Sequence, residues 1–418
     1  MIFVRPYLNL LEGGIFQNIL PILFTFLSFS QAYRGLPIAR TLQQKWQALQ
    51  KNPLTAAKKQ LAEDASFFVA VPISIFIHEA GHALAVLAFG GRVLEFGYFF
   101  FWGYVLPAGD FSPLQYWIIA SAGTWGNLLF ALAIWLWWRR NPSNFVRYLM
   151  LRTIRFQIFY ALIYYPLFTA LLQIGDWRTI YDFAQTPVLS GLTAVLHIGI
   201  VGVHILADRR GVYEMPAFQD VAQTAVLEDL AQQVAANPTD LTLQARYIDV
   251  LRSGGALNLA KQQVQSVLKS HPNWAEGYLL RALLAAHNRR RIPSTAVKDA
   301  RQALHLGLAQ PVQRSMAHQI LGDYALKTER YGEAVQHFDA AIAELERERD
   351  EHGRLPTHRL IGLAHAHYLR AGAYRRQRNY TAAQSDMQTA IRLAQQANRA
   401  NLVETYQNEL AQTIQPYL

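Results

Sequence analysis

The sequence reads Phe76-Ile77-His78-Glu79-Ala80-Gly81-His82-Ala83 in the middle of a long apolar stretch, residues 65–91. His78, Glu79 and His82 are the only ionisable residues of that stretch. The stretch is longer than the roughly 20 residues that a transmembrane helix needs. Because ionisable side chains inside a membrane are costly and are retained where they have a role, the stretch predicts a membrane helix that carries a functional site.

The spacing of these three residues is typical of a metal site. Residues four apart share one face of a helix, so His78 and His82 can offer their imidazoles to a single ion. Glu79 then lies beside the first ligand and can act as a general base on a water molecule. Zinc accepts nitrogen and oxygen ligands and leaves one coordination position open in catalytic sites, so Zn²⁺ is the predicted cofactor.

Four other segments lack charged residues over a comparable length. The weakest is 13–33, a possible extra transmembrane helix that Gln17, Asn18 and Pro21 interrupt. We predict that it belongs to an N-terminal segment, 1–64, which ends in a basic loop. A membrane core is predicted for residues 65–210, with spans at about 65–90, 113–138, 156–175 and 185–206.

Charged and aromatic residues divide the chain into unlike halves. Residues 1–206 hold 20 of the 22 phenylalanines and 8 of the 9 tryptophans, with only 14 Lys+Arg and 8 Asp+Glu. The remaining residues hold 25 Lys+Arg and 21 Asp+Glu. This distribution excludes a single soluble globular domain. The formal net charge of +10 is explained by membrane-flanking loops and solvated faces, so no nucleic-acid partner is predicted.

A strand-like segment follows the metal motif. Residues 93–105 are rich in aromatic and β-branched side chains and are bounded by glycines, a pattern that favours strands over helix. Strands at membrane depth are tolerated only where they are buried in protein or line a cavity. We therefore expect a short β-hairpin that dips against the helix bundle.

The second half of the sequence is repetitive. Small or apolar anchors recur at relative positions 0, 4 and 7, and the sets begin at Ala260, Ala296, Ala334 and Ala383. The pattern resembles the tetratricopeptide repeat, a helix–turn–helix unit of about 34 residues whose stacking buries a continuous core. We predict a linker and capping helix at 211–239 and a repeat domain at 240–418. The alternative is a generic helical bundle.

The predicted fold class is therefore all-α. It consists of a polytopic transmembrane helix bundle with a short membrane-associated β-hairpin, followed by an α-solenoid of tetratricopeptide-like repeats.

The first half resembles the site-2 protease family of intramembrane zinc metalloproteases. The resemblance rests on the HExxH motif inside a membrane helix, on the glycine pair and strand-like segment after it, and on Ser121-Ala122-Gly123-Thr124-Trp125-Gly126-Asn127 at the start of the next helix. That last element is similar to the family's Gly-Pro-x-x-Asn motif, with Thr124 in place of proline. It implies that Gly123 and Asn127 help to position the substrate. The alternative for Asn127 is a helix–helix hydrogen bond.

The resemblance also implies a third metal ligand, which the family takes from an Asp-Gly motif in a later membrane helix. The best match is Asp176, in an inverted Gly175-Asp176 motif ten residues after Pro166. An interfacial cap is the alternative role for this residue. Asp182 and Asp110 match less well. His197 and His204 lie seven residues apart on one face of the last span, and we predict that they pack in the core or support the ligands from behind. A role as substitute ligand is the alternative for His197.

Two arguments about membrane orientation disagree. The predicted loops 34–64 and 139–155 hold six and five Lys and Arg, so the positive-inside rule places that side of the membrane and the C-terminal half in the cytoplasm. The resemblance places the hairpin side there instead. The sequence leaves the orientation open.

The leading interpretation is an intramembrane zinc endopeptidase that cleaves transmembrane or membrane-proximal segments of other proteins. Its expected partners are a membrane-protein substrate, a protein that binds the repeats, and the lipid bilayer. The alternative is a membrane-anchored scaffold whose metalloprotease fold is catalytically degenerate. A transporter fits less well, because only four or five spans are predicted and they do not repeat.

Overall fold

The computed structural model describes residues 15–172, 175–287, 291–347 and 355–418. Within these ranges nearly all regular structure is helical, apart from one two-stranded hairpin, which confirms the predicted all-α class. The chain forms two compact units. The first comprises Met1–Val226 and Gly254–Asn258, and the second comprises Leu227–Ser253 and Leu259–Leu418.

The first unit consists of long helices, one hairpin and one very short helix. Its elements are α1 Ile15–Gln50, α2 Ala56–Phe68, α3 Ala70–Ala88, β1 Arg92–Tyr98, β2 Gly103–Ala108, α4 Pro113–Trp138, α5 Asn144–Phe159, a π-helical segment Tyr160–Tyr164, α6 Tyr165–Leu172, α7 Asp176–Ile180 and α8 Pro187–Arg209.

Among the described residues of this unit, four helical stretches are long and apolar enough to cross a membrane: Ala56–Ala88, Pro113–Trp138, Asn144–Leu171 and Pro187–Arg209. They coincide with the four spans predicted for the membrane core. Their apolar side chains face outwards to a large extent, since only 11% of the most apolar window of Pro187–Arg209 is buried inside the protein. Exposed apolar surface on this scale is typical of helices that contact lipid.

Two segments predicted as basic loops are largely helical, so that part of the prediction is wrong. Helix α1 continues through the described part of the possible span 13–33 to Gln50, and it is not one of the four apolar stretches. Helix α5 begins at Asn144, and its N-cap residue Ser143 accepts a hydrogen bond from the N–H of Val146. Lys and Arg are good helix formers, so their charge marks the end of an apolar segment and not the end of the helix.

The helix that carries the HExxH motif is positioned by a break in front of it. Helices α2 and α3 are separated only at Val69, because Pro72 has no N–H for the carbonyl of Phe68 four residues earlier. Helix α1 packs closely against this break. The side-chain amide of Gln31 donates to Phe67 O at 2.7 Å, and a Cβ at Gly35 would lie 2.5 Å from Phe68 O.

The predicted hairpin is present and packs on α3. Strands β1 and β2 are antiparallel, with Gly97 opposite Tyr104 and an irregularity in register between Val93 and Glu95. The turn between the strands contains Phe100 at φ 60°, a conformation that tight hairpin turns require.

The second unit is a succession of helices, and from the helix Ala275–Ala286 onwards each one packs against the next. Helix α9 begins in the first unit. The helices from there on are α9 Ala222–Ala236, α10 Leu241–Ser253, α11 Leu257–Ser270, α12 Ala275–Ala286, α13 Ser294–Leu306, α14 Pro311–Lys327, α15 Tyr331–Glu346, α16 Thr357–Arg376, α17 Tyr380–Gln396 and α18 Ala400–Thr413.

The residues at the repeated anchor positions are buried. Ala260, Ala296, Ala334 and Ala383 are each 0% exposed, and the residues four and seven positions later are buried as well. Gly322 shows how closely the helices approach, because a Cβ there would lie 2.6 Å from the ring of Phe338 on the next helix. The recurrent small residues therefore mark helix–helix contacts.

A polar pair recurs at one position of every helix pair. The residue three places after each anchor alanine hydrogen-bonds to a side chain on the preceding helix. The four pairs are Gln263 with Gln244, Asp299 with Arg281, His337 with His318, and Asp386 with Arg370 and His367. This position is not predicted from the sequence, since its residue type changes from one helix pair to the next.

We predict that Gly322→Ala destabilises the second unit by about 1–3 kcal/mol, because the added methyl group overlaps the Phe338 ring. Gly372→Ala is the matched control. It also lies inside a helix but has no atom within 4 Å of the added Cβ, and it should raise stability by up to about 1 kcal/mol. Thermal unfolding of the purified chain measures both. Equal changes in stability for the two variants would contradict the close contact between Gly322 and Phe338.

Candidate metal centre

The structure brings together the three residues that the sequence analysis assigns to the metal. His78 and His82 lie one turn apart on α3, and the Oδ2 atom of Asp176 lies 3.1 Å from the Nε2 atom of each. The candidate ligand atoms of the three residues are all within 4.8 Å of one another. Both histidines are buried, so the group is able to hold a metal ion away from bulk solvent.

Asp176 reaches the histidines because a glycine precedes it. Gly175 has φ 103°, in the region that favours glycine, and the five-residue helix α7 begins directly after it. Tyr165 holds the carboxylate from the other side. Its hydroxyl donates to Asp176 Oδ2 at 2.9 Å and accepts from the Asp176 N–H at 3.2 Å. The inverted Gly-Asp order is therefore compatible with a carboxylate at this site.

Asp176 is held in its ionised form. Burial opposes its ionisation, but the neighbouring His82 and His78 outweigh that effect and hold the pKa of the carboxyl well below its usual range. An ionised carboxylate is the form that ligates metals.

The three other candidates for the third ligand lie elsewhere. Asp182 accepts from the N–H groups of Ala184 and Gln185, and Asp110 lies in an exposed loop. His197 is not a ligand, because its Nε2 atom contacts Leu162 O and its Nδ1 atom contacts the Tyr181 hydroxyl.

Gly123 provides the space in front of the imidazoles. A Cβ at this position would lie 2.5 Å from His82 Nε2 and 2.6 Å from His78 Nε2, so any side chain would fill the place that an ion needs. Gly81 allows α3 and α4 to approach each other closely, since a Cβ at Gly81 would lie 2.6 Å from Ala122 O on α4. The role of Gly123 in positioning a substrate stays a prediction.

Both imidazoles are oriented by partners at Nδ1. His82 Nδ1 lies 2.7 Å from Ile119 O, so it carries the proton and leaves the Nε2 lone pair free for an ion. His78 Nδ1 lies 3.3 Å from the side-chain amide of Asn127. Asn127 is 1% exposed and forms the helix–helix hydrogen bond that the sequence analysis names as its alternative role.

Asn127 belongs to a buried polar cluster behind His78. The Ser74 hydroxyl contacts both Asn127 Oδ1, at 2.8 Å, and Gln157 Oε1, but it has only one proton to donate. One of the two side-chain amides must therefore present its nitrogen to Ser74. The cluster connects His78 through Asn127 to the neighbouring helices α4 and α5.

Glu79 lies beside the histidines but does not belong to the ligand cluster. It is 6% exposed, and it borders a cavity of about 970 Å³ together with His82 and Asp176. Gly103, at the start of β2, packs directly on it, since a Cβ there would lie 2.5 Å from Glu79 Cγ. The cavity walls are strongly aromatic and include Phe24, Trp102, Tyr104, Tyr160, Tyr164 and Phe168.

Four further residues of the site are not predicted from the sequence: Ser74, Gln157, Tyr165 and Gly103. The spacing of Ser74, four residues before His78, places it on the same helix face and could have indicated it. Gln157 is a lone polar residue at the start of a predicted span. Nothing local to Tyr165 or Gly103 indicates a contact with residues far away in the sequence.

A comparison of the chain with protein-family models and with curated proteins finds no match to either.

We predict that Gly123→Ala removes metal binding, because the methyl group occupies the space between the two Nε2 atoms. Gly199→Ala on α8 is the matched control, since nothing lies within 4 Å of its added Cβ. Elemental analysis of the purified proteins should give about one metal ion per chain for the control and close to none for Gly123→Ala. Full metal content in Gly123→Ala would rule out an ion at this position.

Proposed function

We propose that this chain is a membrane-embedded zinc endopeptidase that cleaves transmembrane or membrane-proximal segments of other proteins. The observation that carries the proposal is the cluster of His78, His82 and Asp176 next to a cavity that Glu79, His82 and Asp176 line. These residues lie among helices that are long and apolar enough to cross a membrane. Buried ionisable groups in such a setting are expected to have a chemical role.

The donor set fits zinc. Two imidazole nitrogens and one carboxylate oxygen are a ligand set of catalytic zinc sites, and the chain has no cysteine for a sulfur-rich alternative. His78, His82 and Asp176 would hold the ion on one side, while Gly123 keeps the adjoining space clear. A bound zinc ion supplies the Lewis acidity that peptide hydrolysis requires.

Glu79 is the proposed general base. Its side chain borders the cavity beside the ligands, which is where an attacking water must lose its proton. The carboxylate accepts this proton and then donates it to the amine that leaves. A positioned general base of this kind contributes about 10²–10⁴ to the rate.

Strand β2 is the proposed docking site for an extended substrate. Phe99 N–H donates to Trp102 O, and hydrogen-bonded pairs alternate along an antiparallel ladder. Gly103 and Val105 therefore direct their N–H and C=O groups away from β1, and both residues line the cavity. A helical substrate must unwind to use this edge, because the carbonyls of a helix are already bonded.

The second unit is proposed to be a tetratricopeptide-like solenoid that binds the substrate or a regulatory protein. The buried anchors at relative positions 0, 4 and 7 and the recurrent polar pair support this, because both repeat with each helix pair. A scaffold without catalytic activity would use the same unit. It would have no need for Glu79 or for the open space at Gly123.

We predict that Glu79→Gln abolishes proteolysis while the protein still binds one metal ion per chain, because Gln keeps the shape of the side chain but cannot take up the proton. Comparing the membrane proteomes of cells that contain wild-type protein or Glu79→Gln should reveal cleavage fragments missing in the variant. The metal content of the variant is the control for intact geometry.

If Glu79→Gln produced the same fragments at the same rate, the proposed mechanism would be refuted. Wild-type protein without bound metal would favour the scaffold.

We also predict that Val105→Pro lowers kcat/KM for a membrane substrate at least tenfold, because it removes the outward N–H that pairs with the substrate. Val105→Ala keeps that N–H and should change kcat/KM much less. Both variants should retain metal, because Val105 is not among the candidate ligands. Equal activity of Val105→Pro and Val105→Ala would contradict docking at this strand.

A further inference from the structure

The position of Asp176 depends on a helix that cannot stand alone. Helix α7 has only five residues, Asp176–Ile180, and a helix of this length has no stability of its own. Its first residue is the candidate ligand, and Tyr165 holds it at that end. The other end must be fixed by contacts from outside the helix.

Pro166 creates a need for a hydrogen-bond donor close to α7. In the α-helical register the N–H of residue 166 would bond to Leu162 O, but proline has no N–H. The preceding residues, Tyr160–Tyr164, form a π-helical segment, which also disturbs the regular pairing. A buried carbonyl without a donor is unfavourable, so Leu162 O requires a partner from another helix.

His197 on α8 meets this need. Its Nε2 atom donates to Leu162 O at 2.5 Å, so the ring proton is on Nε2 and Nδ1 is an acceptor. The hydroxyl of Tyr181 then donates to His197 Nδ1 at 2.5 Å. Tyr181 is the C-cap residue that follows the last residue of α7. The two hydrogen bonds of this imidazole therefore connect α8 to the π-helical segment and to the end of α7.

The ring of His197 also packs on the residue next to the candidate ligand. Its centroid lies 4.6 Å from that of Trp177, which is 3% exposed. His197 therefore contacts α7 at its second residue and at its end. Two further bonds, from Trp117 Nε1 and Ser190 Oγ to Ile180 O, hold the same end but do not involve the residues beside Asp176.

We propose that His197 is the positioning residue for Asp176: it fixes α7 and so determines the metal affinity of a centre that it does not touch. This inference rests on the proposed metal site and adds to it a dependence on α8. A displacement of α8 relative to α7 would break the two hydrogen bonds and remove the carboxylate from the histidines.

The test uses the full chain, freed of metal and titrated with Co²⁺, whose visible absorption reports on its ligands. We expect His197→Phe, which keeps a ring against Trp177 but loses both hydrogen bonds, to weaken Co²⁺ binding ten- to a hundredfold and to alter the spectrum. His197→Gln, which restores a donor and an acceptor, should recover much of the affinity. The control is His204→Phe, on the same helix, whose Nδ1 contacts the Tyr213 hydroxyl and which should bind Co²⁺ like wild type.

Tyr181→Phe removes a single oxygen atom, and it tests the role of the His197 hydrogen bonds if His197→Phe does not fold. It should weaken Co²⁺ binding severalfold and change the spectrum in the same direction. Wild-type affinity and an unchanged spectrum in His197→Phe and Tyr181→Phe would overturn the inference and leave the proposed function intact. A wild-type chain that binds no Co²⁺ would overturn both.

Discussion

Two imidazoles and one carboxylate meet in the interior of an apolar helix assembly, where an uncompensated charge is costly. The contacts around the three candidate ligands follow from the need to compensate this charge. Gly123 clears the space between the imidazoles, and Gly175 and Tyr165 place Asp176 opposite them. Behind the histidines, Ile119 O and the amide of Asn127 fix the ring orientations. The helices therefore need close, glycine-mediated contacts at the point where their polar groups meet.

The sequence predicts the parts of this centre that are local. The spacing of His78 and His82 follows from helix periodicity, and the apolar surroundings indicate a membrane helix. The strand-like segment is predicted from its aromatic residues and glycines. Asp176 is different, because only the resemblance to a family suggests it, and its contact with the histidines depends on how α7 is held. Ser74 and Gln157 are missed for a related reason, because a lone polar residue acquires its role only when another helix supplies its partner.

The errors of the sequence analysis concern where helices begin and end. Clusters of Lys and Arg are interpreted there as loops, yet α1 and α5 continue through them. In the second unit the periodic alanines are sufficient to predict the buried contacts, whereas the polar position three residues later is not detected. It is filled by an amide pair, an ion pair, a histidine pair and a mixed cluster in turn. The four pairs share a hydrogen-bonding geometry, which cannot be read from the residue types.

The central claim is that a membrane-embedded His–His–Asp cluster holds zinc for peptide hydrolysis. Zinc X-ray absorption spectroscopy on the purified wild-type chain, combined with elemental analysis, tests this claim most directly. We expect about one zinc ion per chain, coordinated by two imidazoles and by oxygen, and loss of that signal in His78→Ala and in Asp176→Ala. A wild-type chain without zinc, or zinc whose coordination is unchanged in both variants, would contradict it.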